Sequence, residues 1–362
     1  LSFFFFYKTF SKKNALFALL STGLIIIFGW GVFNLGIRSQ EMSFFFFSLL
    51  LFLIYKTRQN SAIAVFCPLV TLLWANMHGG SVILGIYLLL FFFISLPIRK
   101  IWPIGLIGLV SFLATLINPF GLAIYQDAFR HFNGPIDLSQ IIAEWVPPAP
   151  FSWWLILISA TVFSVFLIFS KKKRNIILLV FTLPLAFLAL KARRNVPFYF
   201  LFFFYALLES KLLDIIKIKD NFRNSLWVSL IVFLLIIAPV LNFPTAIKTN
   251  ASFQDYCNRS SVVYPCQAIE FLKKQSRNER GNLFNRYEWG GFLIWQLPEM
   301  KIFVDGRMPA WTTPSGKSPY TIYLETLQNQ PGWQKTLADY KIDWILIGPN
   351  TFMDLLLRPK PE

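Results

Sequence analysis

The sequence predicts a mainly α protein: a polytopic transmembrane helical bundle of about nine complete spans, followed by a small extracytoplasmic α/β domain. Three observations carry that expectation. Of the 362 residues, 56% are hydrophobic, with 41 Phe, and only 14% are charged. That is more apolar surface than a water-soluble core needs. The apolar residues gather in runs at 15–33, 43–55, 62–76, 81–98, 102–117, 153–169, 176–190, 197–208 and 226–241. Lys and Arg cluster in alternate gaps between those runs, as the positive-inside rule requires.

We expect the membrane domain over residues 1–242 and the α/β domain over 243–362. The chain opens on Leu1 with Phe at positions 3 to 6. It therefore reads as truncated at its N-terminus rather than as opening with a signal peptide. The cytoplasmic gaps hold Lys12 and Lys13, Lys56 and Arg58, Arg99 and Lys100, the run 171–174, and then Lys211, Lys217, Lys219 and Arg223. Residues 34–42, 77–80, 118–152 and 191–196, and everything after 241, then lie outside. The net charge of +16 would suggest nucleic acid in a soluble protein. Here it encodes topology, and no nucleic-acid partner is expected. The sequence holds neither a Walker-type Gly loop nor an HExxH motif, and its two histidines, His78 and His131, do not suggest a His-based metal site.

The positive residues that break the rule are the informative ones. Arg38, Arg193 and Arg194 sit in outside gaps, where positive charge is expected to be scarce. They read either as interfacial side chains reaching for water or as captors of an anion, a lipid phosphate being the natural one there. Asn76 and His78 precede Gly79-Gly80, read as a tight turn. They either cap a helical hairpin or enter a polar cavity as hydrogen-bond donors. Residues 122–132 suit an interfacial helix with Tyr125, Phe129 and Phe132 apolar and Asp127, Arg130 and His131 polar. Glu144 is the candidate functional acid of that loop; its plainer reading is a solvated charge.

In the tail, residues 268–276 read as a helix with Ile269, Phe271 and Leu272 inward. Segments 282–285, 301–304 and 342–347 read as strands, and 320–327 and 333–340 as helices. Cys67 reads as a core residue; Cys257 and Cys266 either pair or stay free. The sharpest tail motif is Arg286-Tyr287-Glu288-Trp289-Gly290-Gly291 with Val304-Asp305-Gly306-Arg307. Glycine beside bulky aromatics implies either positive φ or a close backbone approach. The motif is either a turn-rich edge or a rim facing a substrate at the membrane. Asp305 and Arg307 are expected to fix a turn, and Glu288 to face the membrane.

These pieces resemble a known group. The outside Arg38-x-Gln40, Trp74-Ala75-Asn76-Met77-His78-Gly79-Gly80, Asn118-Pro119-Phe120-Gly121, Glu144-Trp145 and Arg193-Arg194-Asn195-Val196-Pro197 look like bacterial multi-pass proteins of the GT-C glycosyltransferase superfamily. Tyr287-Glu288-Trp289-Gly290, then Lys301 and Val304-Asp305-Gly306, is similar to the Trp-Trp-Asp-Tyr-Gly region of oligosaccharyltransferase catalytic subunits. Glu288 stands where that region has Asp and Trp289 where it has Tyr, so an acceptor-peptide role does not carry over.

The resemblance implies sugar transfer from a polyprenyl-phosphate-type carrier to an envelope acceptor, at the outer face of a bacterial cytoplasmic membrane. The partners are then the bilayer and the polyprenyl-linked donor. The acid that serves such reactions sits in the first outer loop, expected upstream of Leu1. A carboxylate would bind a divalent metal ion or deprotonate the acceptor, with Glu144 as the catalytic candidate within this chain. Arg38, Gln40, Asn76, His78, Arg193, Arg194, Tyr287, Glu288 and Trp289 are the candidates for substrate or phosphate binding. A non-catalytic scaffold of envelope polysaccharide assembly is the alternative. A lipid or solute transporter ranks below both, because the sequence shows no paired broken helices in two halves.

Overall fold

The structure is a computed structural model. It describes residues 2–10, 17–18, 21–27, 39–95, 101–133, 139, 142–169, 173–210, 212, 252–258, 263–274, 281–308, 313 and 316–358. The side chains of residues 130–133 are not part of that description, so the expectations for Arg130, His131 and Phe132 fall outside it. So do Arg38, the run 226–241, most of the run 15–33, and the expected boundary at 242. The chain divides into two compact units, Leu1–Asn133 with Asp137–Ile236, and Gly134–Ile136 with Ile237–Glu362.

The first unit is helical throughout its described residues. Its helices are α1 (Ser2–Phe10), α2 (Ser39–Thr57), α3 (Cys67–Met77), α4 (Ile83–Ile94), α5 (Ile101–Thr115), α6 (Ala123–Asn133), α7 (Pro150–Phe169), α8 (Lys173–Lys191) and α9 (Val196–Glu209). Helix α9 is the axis. Pro197 occupies its first turn, where a missing N–H costs nothing, and every residue of it except Leu207 is buried. Its aromatic rings meet all sides of the bundle. Phe198 packs on Phe44 and Phe47 of α2 at 4.8 and 5.1 Å, Phe202 on Phe91 of α4 at 5.0 Å, and Phe203 on Phe163 of α7 at 5.3 Å. Edge-on and tilted rings at these spacings are favourable beyond their area. Gly85 of α4 has a packing reason: a Cβ there would meet the Trp74 ring at 3.0 Å.

Nine membrane-length helices are not found among the described residues. Among the described residues two segments are long and apolar enough to cross a membrane, Ala143–Phe169 and Arg174–Lys191. Of the others, α2 reaches 19 residues but opens on the polar Ser39, Gln40 and Glu41. The run 62–76 is split by Pro68, so that a 3₁₀ turn (Ser61–Phe66) precedes α3. Helix α9, at 14 residues, extends about 21 Å, short of a ~30 Å hydrocarbon layer. The outward faces are nevertheless strongly apolar. On α7, Trp154, Ile158, Val162, Val165 and Phe169 form one exposed stripe; on α8, Ile176, Val180, Leu183 and Phe187 form another. Spacings of three and four residues place each set on one helix face.

The helix directions give this unit two chemically distinct ends. At one end Glu209, the last residue of α9, is buried and ion-paired with both Arg58, just past α2, and Arg174, in the first turn of α8. Arg58 also donates to the Ser95 hydroxyl at the end of α4, at 3.1 Å. Four helix ends are thereby joined through one carboxylate.

The second unit is a small α/β layer structure. Helices α10 (Phe253–Cys257) and α11 (Cys266–Lys274) precede strand β1 (Asn282–Asn285); helix α12 (Gly290–Gln296) leads to β2 (Lys301–Ile302). Helices α13 (Pro319–Leu327) and α14 (Trp333–Asp339) lead to β3 (Ile342–Leu346), and α15 (Phe352–Leu357) follows. The sheet order is β2-β1-β3, all parallel. Leu283 and Phe284, adjacent in β1, point to opposite faces and into separate cores. One core holds Ile269, Leu293 and Trp289; the other holds Val304, Tyr323 and Met353. A parallel sheet covered on both faces requires this arrangement. In α11, which starts at Cys266, Ile269 and Leu272 face the core as expected, whereas Phe271, also expected inward, is exposed. Strand β2 is two residues long, because the chain turns off at Phe303 toward the Asp305 turn. Cys257 and Cys266 are disulfide-bonded, and Cys67 is a buried free thiol.

Replacing Glu209 by Gln leaves Arg58 partly buried with no compensating charge, so it should destabilise the fold by ~3 kcal/mol. Arg174→Gln should cost less, since that side chain is 45% exposed. Thermal or denaturant unfolding in detergent checks the ranking; equal losses would refute the assigned burial asymmetry.

Candidate functional site

Opposite the Glu209 end, the first unit holds a cavity of about 380 Å³ with several polar side chains in its wall. Its wall comes from the start of α2 (Gln40), the α3–α4 junction (His78 to Ser81), α6 (Asp127), two 3₁₀ turns (Glu144 and Trp145; Arg194 and Asn195) and the start of α9 (Phe198). The turns Ala143–Trp145 and Arg193–Asn195 are tied together where the Arg193 N–H donates to Val146 O at 2.9 Å.

Arg194 organises this end. Its Nη1 pairs with Glu144 Oε1 at 3.1 Å and its Nη2 donates to Gln40 Oε1 at 2.9 Å. The guanidinium also stands 4.6 Å from the Trp145 ring centre. A planar fork that reads a carboxylate and an amide while lying over an indole uses every feature that separates Arg from Lys. Asn195 donates to Leu188 O at 3.1 Å and so caps the end of α8.

His78 is anchored from behind. Its Nδ1 lies 2.6 Å from Ser43 Oγ, which lies 2.5 Å from Ser81 Oγ. The Trp74 indole N–H points at both hydroxyls, at 3.0 and 2.9 Å. Gly79-Gly80 does not make the expected tight turn: residues 79–82 form a 3₁₀ turn. Gly79 is required for space, because a Cβ there would meet Ile124 Cγ2 of α6 at 2.9 Å. That close approach brings Asp127 to the cavity wall.

Of the residues singled out in the sequence, Gln40, His78, Glu144 and Arg194 line this cavity. Arg38 lies outside the described residues. Arg193 and Asn76 are not among the lining residues. Consecutive residues of a 3₁₀ turn diverge by about 120°, so Arg193 and Arg194 cannot both face inward. The Arg193 Nε is buried with no hydrogen-bond partner among the described residues. Asn76 donates to Leu72 O and Ile117 O at 2.9 and 2.8 Å, pinning the end of α3 beside the chain that leaves α5. Asp127 was legible only as the polar face of an amphipathic helix. The signal that marks it is the Gly79 contact, which no local pattern shows. The described lining therefore sets one guanidinium against two carboxylates, a balance that differs from a purely cationic phosphate trap.

The tail motif is built by backbone contact. A Cβ on Gly290 would lie 2.2 Å from Val304 O, so the two halves of the motif close on each other only with glycine there. Asn285 joins them further, donating to Val304 O at 2.9 Å and accepting from the Val304 N–H at 3.2 Å. Trp289, expected to bind substrate, is buried and its indole N–H donates to Val263 O at 3.0 Å, so it is a core residue. Tyr287 packs edge-on against Tyr320 at 4.8 Å, and its N–H donates to the Tyr323 hydroxyl, which burial pushes up to about 12. Glu288 is exposed and paired with Arg286 at 2.8 Å. Burial pushes the Asp305 carboxyl up, but hydrogen bonds from the Arg307 side chain and backbone outweigh it and hold it below its ordinary value of 3.8. Arg286, Glu288, Asp305 and Arg307 all follow the carboxyl ends of parallel strands, the edge at which open α/β sheets place ligands.

No known family profile matches the sequence, and a comparison with curated proteins finds no match. Among the described residues no group of three or more His, Cys, Asp or Glu side chains could hold a metal ion. Asp127 and Glu144 by themselves fall short of a protein-made cage.

Arg194→Lys keeps the charge and loses the fork, so it should cost about 2 kcal/mol of stability. A double-mutant cycle with Glu144→Gln should show coupling between the two; strictly additive losses would show that the pair does not interact. In the second unit, the depressed Asp305 carboxyl contributes stability that is fully present above its unfolded value. That contribution is lost as pH falls through the lower folded value. Acid unfolding of that unit should therefore begin below about pH 4, and Asp305→Asn should flatten this part of the profile, as followed by Trp fluorescence.

Proposed function

We propose that the chain is a bacterial multi-pass membrane glycosyltransferase of GT-C type. It moves a sugar from a polyprenyl-phosphate-type carrier to an envelope acceptor at the outer face of the cytoplasmic membrane. The observation that supports this best is the cavity at one end of the helical unit. Two carboxylates, a fork-held Arg, an imidazole, an amide pair and an indole converge there. Such a lining suits a polyhydroxylated ligand, with Asp127 or Glu144 available to take or give a proton.

Further features agree. The exposed apolar stripes of α7 and α8 are what lipid would cover. In this reading the Glu209 end, with Arg58 and Arg174, faces the positive inner side and the cavity faces outward. The Cys257–Cys266 disulfide suits an extracytoplasmic second unit. By their place in the sequence, Arg38 and Arg193 remain candidates for the carrier phosphate. The scaffold reading has its own support: Arg194, Glu144 and Gln40 satisfy one another, as a structural knot would.

Reconstitution of the full-length protein with polyprenyl-phosphate-linked sugars, following release of the polyprenyl phosphate, separates these readings. Asp127→Asn and Glu144→Gln should each lower turnover about 10²-fold or more with the fold intact. Sugar-carrier binding without turnover in the unaltered protein would favour the scaffold.

A further inference from the structure

The second unit brings Arg286 to a gap between two of its strand connections. Strands β1 and β3 lie side by side and parallel. The chain leaving β1 passes into α12, whose Phe292 and Leu293 join the core on the Leu283 face. The chain leaving β3 passes into α15, whose Met353 joins the core on the Phe284 face. The two loops therefore part beyond the carboxyl ends of these strands, and open α/β sheets hold ligands in a crevice of this kind. Arg286 stands at its mouth. Its N–H continues the ladder to Leu346 O at 3.1 Å, and a Cβ on Gly348 of the β3 loop would lie 3.4 Å from its Nη1. The guanidinium thus reaches from one loop to the other, and the side chain is 47% exposed, so a solute can meet it. It donates through Nε to Glu288 Oε2 and stands 5.6 Å from the Trp289 ring centre. Among the described residues neither Nη has a hydrogen-bond partner.

We propose that this crevice binds a small carboxylate, with the two Nη groups of Arg286 as its fork. A carboxylate presents two coplanar oxygens that match two N–H groups of a guanidinium. The bond to Glu288 and the contact with the Trp289 ring hold that guanidinium beforehand, so less side-chain freedom is lost on binding than for an ordinary surface Arg. Charge selects the ligand. Arg286 and Glu288 cancel one another, so the ligand adds its own charge beside Glu288. A dianionic phosphate meets twice the repulsion there that a monoanionic carboxylate does. Glu288 therefore both braces the fork and discriminates between anions. The proposal rests on the geometry of the second unit and not on sugar transfer. A carboxyl group on a sugar and one on a peptide present the same two oxygens.

The test is a ligand-observed NMR titration of the full-length protein in lipid nanodiscs at about pH 8, where inorganic phosphate is mostly the dianion. The probes are methyl glucuronide, N-acetylglycine, the uncharged N-acetylglycinamide and inorganic phosphate. At least one of the two carboxylates should bind more tightly than the amide and the phosphate, and their order separates a sugar acid from a peptide carboxyl. Arg286→Gln should weaken that carboxylate about tenfold or more, because charge-assisted hydrogen bonds are lost. Arg286→Lys keeps the charge without the fork and should fall between. Glu288→Gln should raise the affinity for phosphate relative to carboxylate. Carboxylate binding that is absent, or unchanged in Arg286→Gln, overturns the proposal. Tighter binding of phosphate, or equal binding of the amide, overturns the ligand class. None of these readouts uses turnover, so a failed transferase assay and a failed carboxylate site remain distinguishable.

Discussion

The cavity end of the helical unit depends on one guanidinium held in place from three sides. Arg194 reaches Glu144 on one turn, Gln40 at the start of α2 and the Trp145 ring, while its own turn leads directly into α9. These groups come from positions far apart in the chain, and none would face the others without it. A partly buried Arg with its fork matched is tolerable where an unmatched one is not. The ion pair therefore both shapes the cavity and neutralises part of its charge. Chemistry at the site has to be written with Glu144 already engaged.

The far end of the same helices is organised by the opposite choice, a buried carboxylate between two guanidiniums. Helices α2, α4 and α9 run from the cavity toward Glu209 and α8 runs back. Both ends are thereby tied to one another through rigid, mostly apolar rods. The aromatic packing of α9 supplies the rest. Its rings fix lateral spacing, and the charged clusters fix which turn of each helix lies at which level. Packing alone leaves axial slip comparatively cheap.

Much of this was legible in the sequence, and the remainder failed for identifiable reasons. Gln40, His78, Glu144 and Arg194 were found because polar groups between apolar runs are costly and stand out. Arg193 was paired with Arg194 by adjacency, yet a 3₁₀ turn sends neighbours in different directions. Asn76 looked like a ligand because its two carbonyl partners are not both local. Trp289 sat in a motif whose glycine and asparagine are explained by backbone closure rather than by a ligand. The run lengths gave helices, but Pro68 split one of them into a 3₁₀ turn and a shorter helix. Asp127 and the Ser43–His78 anchor depend on tertiary contact, for which a single sequence has no signal.

The Cys257–Cys266 bond has a reach beyond the two residues it joins. Val263, whose carbonyl receives the Trp289 indole N–H, lies inside the loop this bond closes. Closing a loop of that length restrains the unfolded chain by about 2–3 kcal/mol. It also narrows the positions open to the Val263 carbonyl. The core of the second unit is therefore tied to the redox state of its surroundings. A reducing compartment would slacken the acceptor of a buried indole, whereas an oxidising one keeps that hydrogen bond, and the sheet face behind it, taut.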